Sequence, residues 1–475
     1  MNEEEKILLA RWQSLEQGDG LQRARSMARI LWFVGVVVSI FSVLATLVPP
    51  AWCQDLPMAP EAQVIDLTPK PGYFTEPSVA VNPHNPQQVV AAYQDNVHIA
   101  YSADAGKHWD NATGVAPADY RVSGDVSVTY DKNGRAILCY MAFDKLGTMN
   151  YWAHGASRSG LFVRRSLDGG KTWEAQDITI IKHPTEPNIP FEDKPYIVAD
   201  DSPGPYAGNL YVGWTRWTLE DSQILLSRST DDGKTWSEPL EIDKHRGLPR
   251  DDNGAVEGFS GVVGRDSTLY VVWGDGDHIV FTSSRDGGRT FETPRNIIET
   301  APIMFVVEAV DRSNGFPVIA IDPRDGKLYV TWSDYRNGGV DVFCSTSTDR
   351  GREWSAPVRV NSDPLHNGAD HFFHWLAVDP TTGAAYVVFY DRRGDPLNRK
   401  ARVVLARSTD GGKSFANYAW TQNDFDPGRV FIGDYTGIAA LGGRVYGAWT
   451  EKPPSTSPSR DTIIRVGIAH FPEAP

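Results

Sequence analysis

Acidic side chains recur at two points of a repeated strand pattern, and carboxyl groups gathered there could transfer protons or hold Ca²⁺. In most repeats, one acid stands where the first strand begins and another stands where the second strand ends. Arginines accompany the second group, and they could bind a carboxylate of a substrate or pair with a neighbouring acid. The acids at the strand starts are Glu76, Asp125, Asp193, Glu257, Asp370 and Asp434. The residues at the strand ends are Asp95, Asp144, Asp275, Asp334, Asp391, Glu451, Arg216, Arg336, Arg392 and Arg393.

Two residues, Arg216 and Tyr435, break the pattern of the repeat and are therefore better candidates for a functional role. The second strand of most repeats ends in an aromatic residue, any residue and an acid, and this recurrence favours a shared structural hydrogen bond. Arg216 replaces the acid in the segment Trp214–Trp217, and Tyr435 follows the pair Gly433-Asp434. One hypothesis is a clamp in which Arg216 acts with the other arginines at the strand ends.

Two histidines raise the question of a metal site. His371 and His374 lie three residues apart beside Asp370, which is a ligand-like spacing on a helix. On a strand, positions 371 and 374 face opposite sides, so we expect packed or hydrogen-bonded histidines and no metal there. Ca²⁺ among the acids is the one cofactor that the sequence leaves open.

The elements that position these residues come from an internal repeat. The pattern Ser-x-Asp-x-Gly-x-x-aromatic occurs six times at intervals of about 60 residues, each time after an alternating run typical of a strand. The aspartate can accept backbone N–H groups across the turn, the glycine can adopt a positive φ, and the aromatic ring can anchor the returning strand. The pattern therefore predicts a structural turn. Its copies are Ser102–Trp109, Ser166–Trp173, Ser229–Trp236, Ser284–Phe291, Ser347–Trp354 and Ser408–Phe415.

Two further strands precede each turn, and a seventh unit that lacks the turn follows the last one. The strands are Pro77–Val81 and Val89–Asp95 in the first unit, and Thr436–Ala440 and Arg444–Glu451 in the seventh. We expect an all-β propeller of seven blades, each of four antiparallel strands, over residues 62–475, with six blades as the alternative. The Val64–Leu67 strand should complete the last blade and close the ring.

This combination of turns, strands and a last unit without a turn resembles the sialidase superfamily over residues 62–471, and there the turn motif is called the Asp box. The resemblance implies a propeller, of six blades in that superfamily, and a glycoside hydrolase that acts on glycans. The family's Arg-Ile-Pro motif supplies one of three arginines that clamp the substrate carboxylate. Thr75-Glu76-Pro77 stands in its place here, so that arginine is absent.

The resemblance also implies roles for individual side chains. Tyr435 matches the family's nucleophile, Glu257 matches the glutamate that deprotonates it, and Asp95 matches the general acid. Glu451 resembles the acid that steadies the missing arginine. The arginines that could rebuild the clamp are Arg216, Arg336, Arg392 and Arg393.

Composition excludes some classes of function. The chain of 475 residues has 41% hydrophobic and 11% aromatic residues with 43 Gly and 32 Pro, which suits short strands and tight turns. Its formal net charge of −14 repels phosphate backbones, so we expect no nucleic-acid partner. Three cysteines are too few for a disulfide framework, and we expect Cys139 and Cys344 to be buried.

An uncharged apolar run extends from Ile30 to Val48 and follows three arginines. A positive flank of this kind keeps the N-terminus in the cytoplasm and sends the following chain outward. We expect residues 1–29 to be a cytoplasmic segment, or a mis-called leader if translation begins at Met27, and residues 30–53 to be a signal peptide or a signal-anchor helix. Both alternatives place the domain outside the cytoplasm, periplasmic or secreted, and an uncleaved helix would anchor it to the inner membrane.

Two functions remain open from the sequence. The first is an exported sialidase-like glycoside hydrolase, which the resemblance favours. The second is a non-catalytic propeller that binds a glycan or a protein partner, including as a membrane-tethered scaffold. The missing arginine and the acidic centre favour this second function.

Overall fold

A computed structural model of the protein describes residues 56–68, 70–94, 96–112, 117, 120, 122–144, 156–184, 190–250, 254–303, 306–428, 430–453 and 459–472. The predicted N-terminal segments, residues 1–29 and 30–53, lie outside the described residues. Among the residues that are described, no helix has the length and apolar character needed to cross a membrane.

Seven antiparallel sheets of four strands form the fold. The strand β1 (Gln63–Asp66) comes first in the chain. The first blade contains β2 (Thr75–Val81), β3 (Val89–Gln94), β4 (His98–Ser102) and β5 (Asp110–Ala112). The second contains β6 (Val122–Tyr130), β7 (Ala136–Phe143), β8 (Ser159–Ser166) and β9 (Ile178–His183). The third contains β10 (Phe191–Ala199), β11 (Leu210–Trp217), β12 (Ser222–Ser229) and β13 (Leu240–Glu241).

The remaining blades repeat this order. The fourth contains β14 (Val256–Val263), β15 (Leu269–Asp275), β16 (His278–Ser284) and β17 (Arg295–Glu299). The fifth contains β18 (Val318–Asp322), β19 (Lys327–Asp334), β20 (Asp341–Ser347) and β21 (Val358–Arg359). The sixth contains β22 (His371–Val378), β23 (Ala385–Asp391), β24 (Arg402–Ser408) and β25 (Ala416–Ala419). The seventh contains β26 (Gly437–Leu441), β27 (Arg444–Glu451) and β28 (Ile463–His470).

The seventh blade is completed by β1, which pairs antiparallel with β28 from Gln63 opposite Ile468 to Asp66 opposite Arg465. The first strands of neighbouring blades contact one another all the way round, including β26 against β2. The prediction of seven blades and of closure by this N-terminal strand is therefore confirmed. The chain just before β1 also joins the sixth blade, where Ala59 N–H donates to Ala419 O at 2.9 Å.

The hydrophobic core lies between the blades, because each sheet is covered on both faces by its neighbours. One cluster combines Val90 and Ile99 of the first blade with Leu138 and Tyr140 of the second. Such burial on both faces explains why the second strands, which lie inside each sheet, read as nearly continuous apolar runs. Cys139 and Cys344 are buried in this core as free thiols, as predicted.

The Ser-x-Asp-x-Gly turns have the hydrogen bonds that their sequence predicts. In the third blade, Ser229 Oγ donates to Asp231 Oδ1 at 2.8 Å and accepts from the N–H of Gly233 at 2.9 Å. Asp231 also accepts from the N–H of Thr235 at 2.9 Å, and Gly233 has a φ of 79°. The bond from the glycine N–H to the serine hydroxyl recurs in all six copies. These turns join the third and fourth strands of a blade and are structural.

A bulge interrupts the innermost strand of five blades near its start. At each bulge one residue has a positive φ, which turns the local backbone and re-aims the neighbouring side chains. These residues are Glu76 at 54°, Asp125 at 46°, Lys194 at 49°, Gly258 at 79° and Phe373 at 49°. The first four bulges lie beside the charged side chains described next.

Candidate active site

Five carboxyl groups from five different blades meet at the centre of the ring, beside the starts of the innermost strands. All five side chains are buried, although carboxyl groups usually lie on the protein surface. Burial of so many carboxyl groups costs free energy unless cations or shared protons compensate. The five residues are Glu76, Asp125, Asp193, Glu257 and Asp434.

Two cations lie among these acids. Lys194 Nζ is 2.9 Å from Glu257 Oε1 and 2.9 Å from Asp434 Oδ2. Arg312, from the connection between β17 and β18, binds the same aspartate with two nitrogens, and its Nε lies 2.7 Å from Asp434 Oδ1. Asn314 adds a hydrogen bond of 2.9 Å to the backbone carbonyl of Asp434. The seventh blade is thereby tied to the third, and to the connection that leads from the fourth blade to the fifth.

The acids divide into two groups by their pKa. Burial and the nearby charge of Asp434 raise the pKa of Glu76 to about 7. Burial and the nearby charge of Glu76 raise the pKa of Asp125 to about 8. Although burial alone would raise the pKa of Asp434, the charges of Arg312 and Lys194 lower it to about 2. Glu76 and Asp125 can therefore exchange protons near neutral pH, whereas Asp434 stays ionised.

A pocket of about 330 Å³ opens over the two proton-exchanging carboxyl groups. That volume lies in the range of small-molecule sites. Its polar lining includes Glu76, Asp125, Asp193, Gln94 and Arg312, and its aromatic lining includes Tyr73, Phe143, Phe191 and Phe431. The arrangement offers a general acid and a general base beside apolar ring faces.

Tyr435, the predicted nucleophile, lines a second and much smaller cavity of about 80 Å³ on the ring axis. Its ring packs on Trp375 at 5.7 Å between centroids, and Trp375 packs on Tyr196 at 5.8 Å. The hydroxyl donates to the carbonyl of Val126 at 3.4 Å, and burial raises the pKa of Tyr435 well above its ordinary value. Glu257, its predicted base, binds Lys194. Lys194 in turn binds Asp434, the residue before Tyr435, so the two predicted partners share one neighbourhood.

The other two residues of the predicted catalytic set lie away from this centre or beyond what is described. Asp95 lies outside the described residues. Glu451 Oε1 accepts from the indole N–H of Trp449 at 2.7 Å, and its Oε2 lies 2.8 Å from Arg465 Nη1. The same indole-to-acid bond joins Trp332 to Asp334 at 2.8 Å, as expected for a structural aromatic-x-acid motif. The catalytic roles of Tyr435, Glu257, Asp95 and Glu451 stay predictions.

Each of the four predicted clamp arginines contacts groups of its own blade. Arg216 Nε donates to Glu192 Oε1 at 2.8 Å, and Glu192 also accepts the indole N–H of Trp214. The aromatic-x-acid motif has Arg216 in place of its acid, and Glu192 on the adjacent strand β10 accepts the indole hydrogen bond instead. Similar local contacts are Arg336 with Asp334 at 2.8 Å, Arg393 with Asp391 at 2.6 Å, and Arg392 with the carbonyl of Asn398 at 2.8 Å. Substrate binding by these arginines stays a prediction.

His371 and His374 are both buried in β22. His374 Nδ1 lies 2.9 Å from Ser333 Oγ, and His371 Nε2 lies 3.2 Å from Asp363 Oδ1. Asp341, Asp363 and His371 are close enough together to hold a metal ion. A guanidinium nitrogen of Arg359, however, lies 2.9 Å from Asp341 and 3.0 Å from Asp363. This cation neutralises the carboxylates, so the donor set does not fit a metal ion.

Sequence reasoning missed the two cations of the centre. Lys194 had a signal, since Lys194-Pro195 occupies the place of Glu76-Pro77 in its blade. The acid beside it, Asp193, drew attention instead. No sequence pattern indicated the position of Arg312, because it lies in a long connection outside the repeat.

No family model matches the chain. A curated sialidase from Bacteroides fragilis (strain YCH46) is 27% identical over an alignment of 226 residues, and the alignment covers 39% of this chain and 40% of that protein. The match thus spans two fifths of the relative's length. Among solved structures, the Hadza microbial sialidase Hz136 has 16% identity and a TM-score of 0.48 over 81% of this chain and 73% of its own. A PL25 ulvan lyase has 13% identity and a TM-score of 0.48 over 83% and 95%.

The closed ring of four-stranded sheets defines a seven-bladed β-propeller. With the sequence similarity to the curated sialidase, the chain is a sialidase-like β-propeller.

Proposed function

We propose that the protein is an exported glycoside hydrolase that acts on glycans in the pocket at the ring centre. The observation that carries the proposal is the pair of buried carboxyl groups beneath that pocket, Glu76 with a pKa of about 7 and Asp125 with a pKa of about 8. Most glycoside hydrolases use two carboxyl groups, one protonated and one ionised.

The pair can supply both states at neutral pH. The two groups are electrostatically linked, because ionisation of Glu76 raises the pKa of Asp125. Glu76 Oε1 also accepts the N–H of Asp434 at 3.1 Å, which fixes the orientation of its carboxyl group. In the proposed reaction one carboxyl group protonates the leaving oxygen and the other activates water.

Export is the second part of the proposal. Its support is the apolar run from Ile30 to Val48 behind three arginines. Similarity to the Bacteroides sialidase supports an activity on glycans. Ca²⁺ among the acids stays a prediction, and Lys194 and Arg312 already neutralise part of the charge that such an ion would balance.

Fluorogenic glycosides of several sugars, incubated with the full chain, test the proposal. Glu76→Gln and Asp125→Asn should each lower kcat/KM by about 100-fold or more, the usual contribution of a general acid or base. Glu61→Gln, on an exposed side chain, is the matched control and should leave kcat/KM unchanged. Full activity in Glu76→Gln would refute the acid–base assignment.

A non-catalytic propeller that binds a glycan or a protein partner is the second candidate. The observation that favours it is the local pairing of the arginines that sequence analysis assigned to a substrate clamp. Under this alternative, glycan arrays probed with the full chain would give binding, whereas no fluorogenic glycoside would be cleaved.

A further inference from the structure

The pocket at the ring centre has an unusual balance of charge for a protein that resembles sialidases. Its described lining residues include three carboxyl groups, Glu76, Asp125 and Asp193, and one cation, Arg312. Farther out, two exposed residues of opposite charge, Asp311 and Arg460, lie near Tyr73 at the pocket wall. Besides the effect of burial, Asp311 raises the pKa of Tyr73 and Arg460 lowers it. Acidic groups therefore outnumber cationic groups where a ligand would make its polar contacts.

Arg312 is already committed to another carboxylate. Two of its nitrogens bind Asp434, and the guanidinium lies over the ring of Phe431 at 5.1 Å. A bidentate ion pair of this kind occupies guanidinium N–H groups that a ligand carboxylate would otherwise bind. Lys194, the other cation of the centre, is buried between Glu257 and Asp434.

The remaining lining suits an uncharged sugar. Carboxyl and amide oxygens of Glu76, Asp125 and Gln94 can accept hydrogen bonds from hydroxyl groups. Aromatic side chains on the wall, among them the half-exposed Tyr73, offer faces for the C–H surface of a pyranose ring. A carboxylate placed in the same position would face like charges and no unpaired cation of the described lining.

We infer that the pocket selects sugars without a carboxylate group, so that the glycan recognised is a neutral one. This specificity rests on the proposed function, because it takes the pocket as the site that receives the sugar. It differs from the sugar that the family resemblance implies, whose carboxylate needs the arginine that Thr75-Glu76-Pro77 lacks.

Matched pairs of ligands test the inference by binding alone. The methyl glycosides of glucose, galactose and mannose are each compared with the corresponding uronic acid, and lactose is compared with sialyllactose. Dissociation constants are measured for the full chain by calorimetry at pH 8.5, which lies above the pKa of about 7 of Glu76 and the pKa of about 8 of Asp125. We expect at least one uncharged ligand to bind and its charged counterpart to bind at least tenfold more weakly.

Two variants show whether the discrimination arises in this pocket. Glu76→Gln removes one negative charge and should narrow the ratio between the paired dissociation constants, and Glu61→Gln should leave it unchanged. Equal or tighter binding of the charged ligands, or no binding of any ligand, would overturn the inference. Binding of neutral sugars without cleavage of any glycoside would refute the proposed hydrolysis and support the inferred specificity. Cleavage of sialosides would support hydrolysis and refute the specificity.

Discussion

Replacement of Glu76 by Gln should stabilise the folded protein at alkaline pH. Glu76 is buried beside Asp125 and Asp434, and its pKa is raised from 4.5 to about 7. An ionised carboxylate in this position is therefore less favourable in the folded state than in the unfolded state. Glutamine keeps the oxygen that accepts the N–H of Asp434 and carries no charge.

The size of the effect follows from linkage between protonation and folding. The folded state binds more protons than the unfolded state between pH 4.5 and about 7, so the contribution of Glu76 to stability falls as pH rises through that window. The pKa difference multiplied by about 1.36 kcal/mol corresponds to roughly 3 kcal/mol. Glu76→Gln should therefore gain about 3 kcal/mol over the wild type between pH 4 and pH 8.5.

Urea unfolding of both proteins at pH 4 and pH 8.5, followed by tryptophan fluorescence, measures this difference. Glu192→Gln is the control of opposite sign. Burial alone would raise the pKa of Glu192, but His183 and Arg216 lower it below its ordinary value. That carboxylate stabilises the fold above its unfolded pKa, so its removal should cost more at pH 8.5 than at pH 4. A stability difference for Glu76→Gln that is the same at both pH values would refute the reasoning.

Three further predictions concern the turn, the central lysine and the tyrosine. Asp231→Ala should lower the free energy of unfolding by about 1–2 kcal/mol through lost turn hydrogen bonds, and glycan affinity measured on the same sample should not change. Lys194→Met should cost about 3–5 kcal/mol in urea unfolding, because it leaves Glu257 and Asp434 without their shared cation; a cost below 1 kcal/mol would contradict the ion-pair geometry. Tyr435→Phe should change stability by less than about 1 kcal/mol, since its hydrogen bond is long. It should also leave kcat/KM intact, and a loss of about 100-fold would instead assign catalysis to this tyrosine.

The fold could be predicted because its signals are local and repeated. Each Ser-x-Asp-x-Gly turn contains its own hydrogen-bond partners within a few residues, so its structure follows from its sequence alone. The number of blades followed from counting strand pairs, and the seventh blade was found although it lacks the turn. The aromatic-x-acid bond was predictable for the same reason, since Trp332 and Asp334 lie two residues apart.

The centre of the ring could be predicted only in part, because its contacts join distant parts of the chain. Glu76, Glu257 and Asp434 were found as acids at the starts of inner strands. Their cations were not found, since Arg312 and Asp434 lie 122 residues apart in sequence. The bulge also places Lys194, rather than Asp193, at the position with positive φ. The raised pKa values of Glu76 and Asp125 depend on burial that no single strand reveals.

The pairing of β1 with β28, which closes the ring, has a mechanical consequence. β1 pairs with β28 and leads directly into β2, so backbone hydrogen bonds of β1 join the seventh blade to the first, and Ala59 adds a bond to the sixth blade. Tension applied to the chain before Ala59 would load the Ala59–Ala419 bond first and the pairing of β1 with β28 next, before it reached the other blades. β28 would then present an unpaired edge, to which the same strand from a second molecule could bind in exchange.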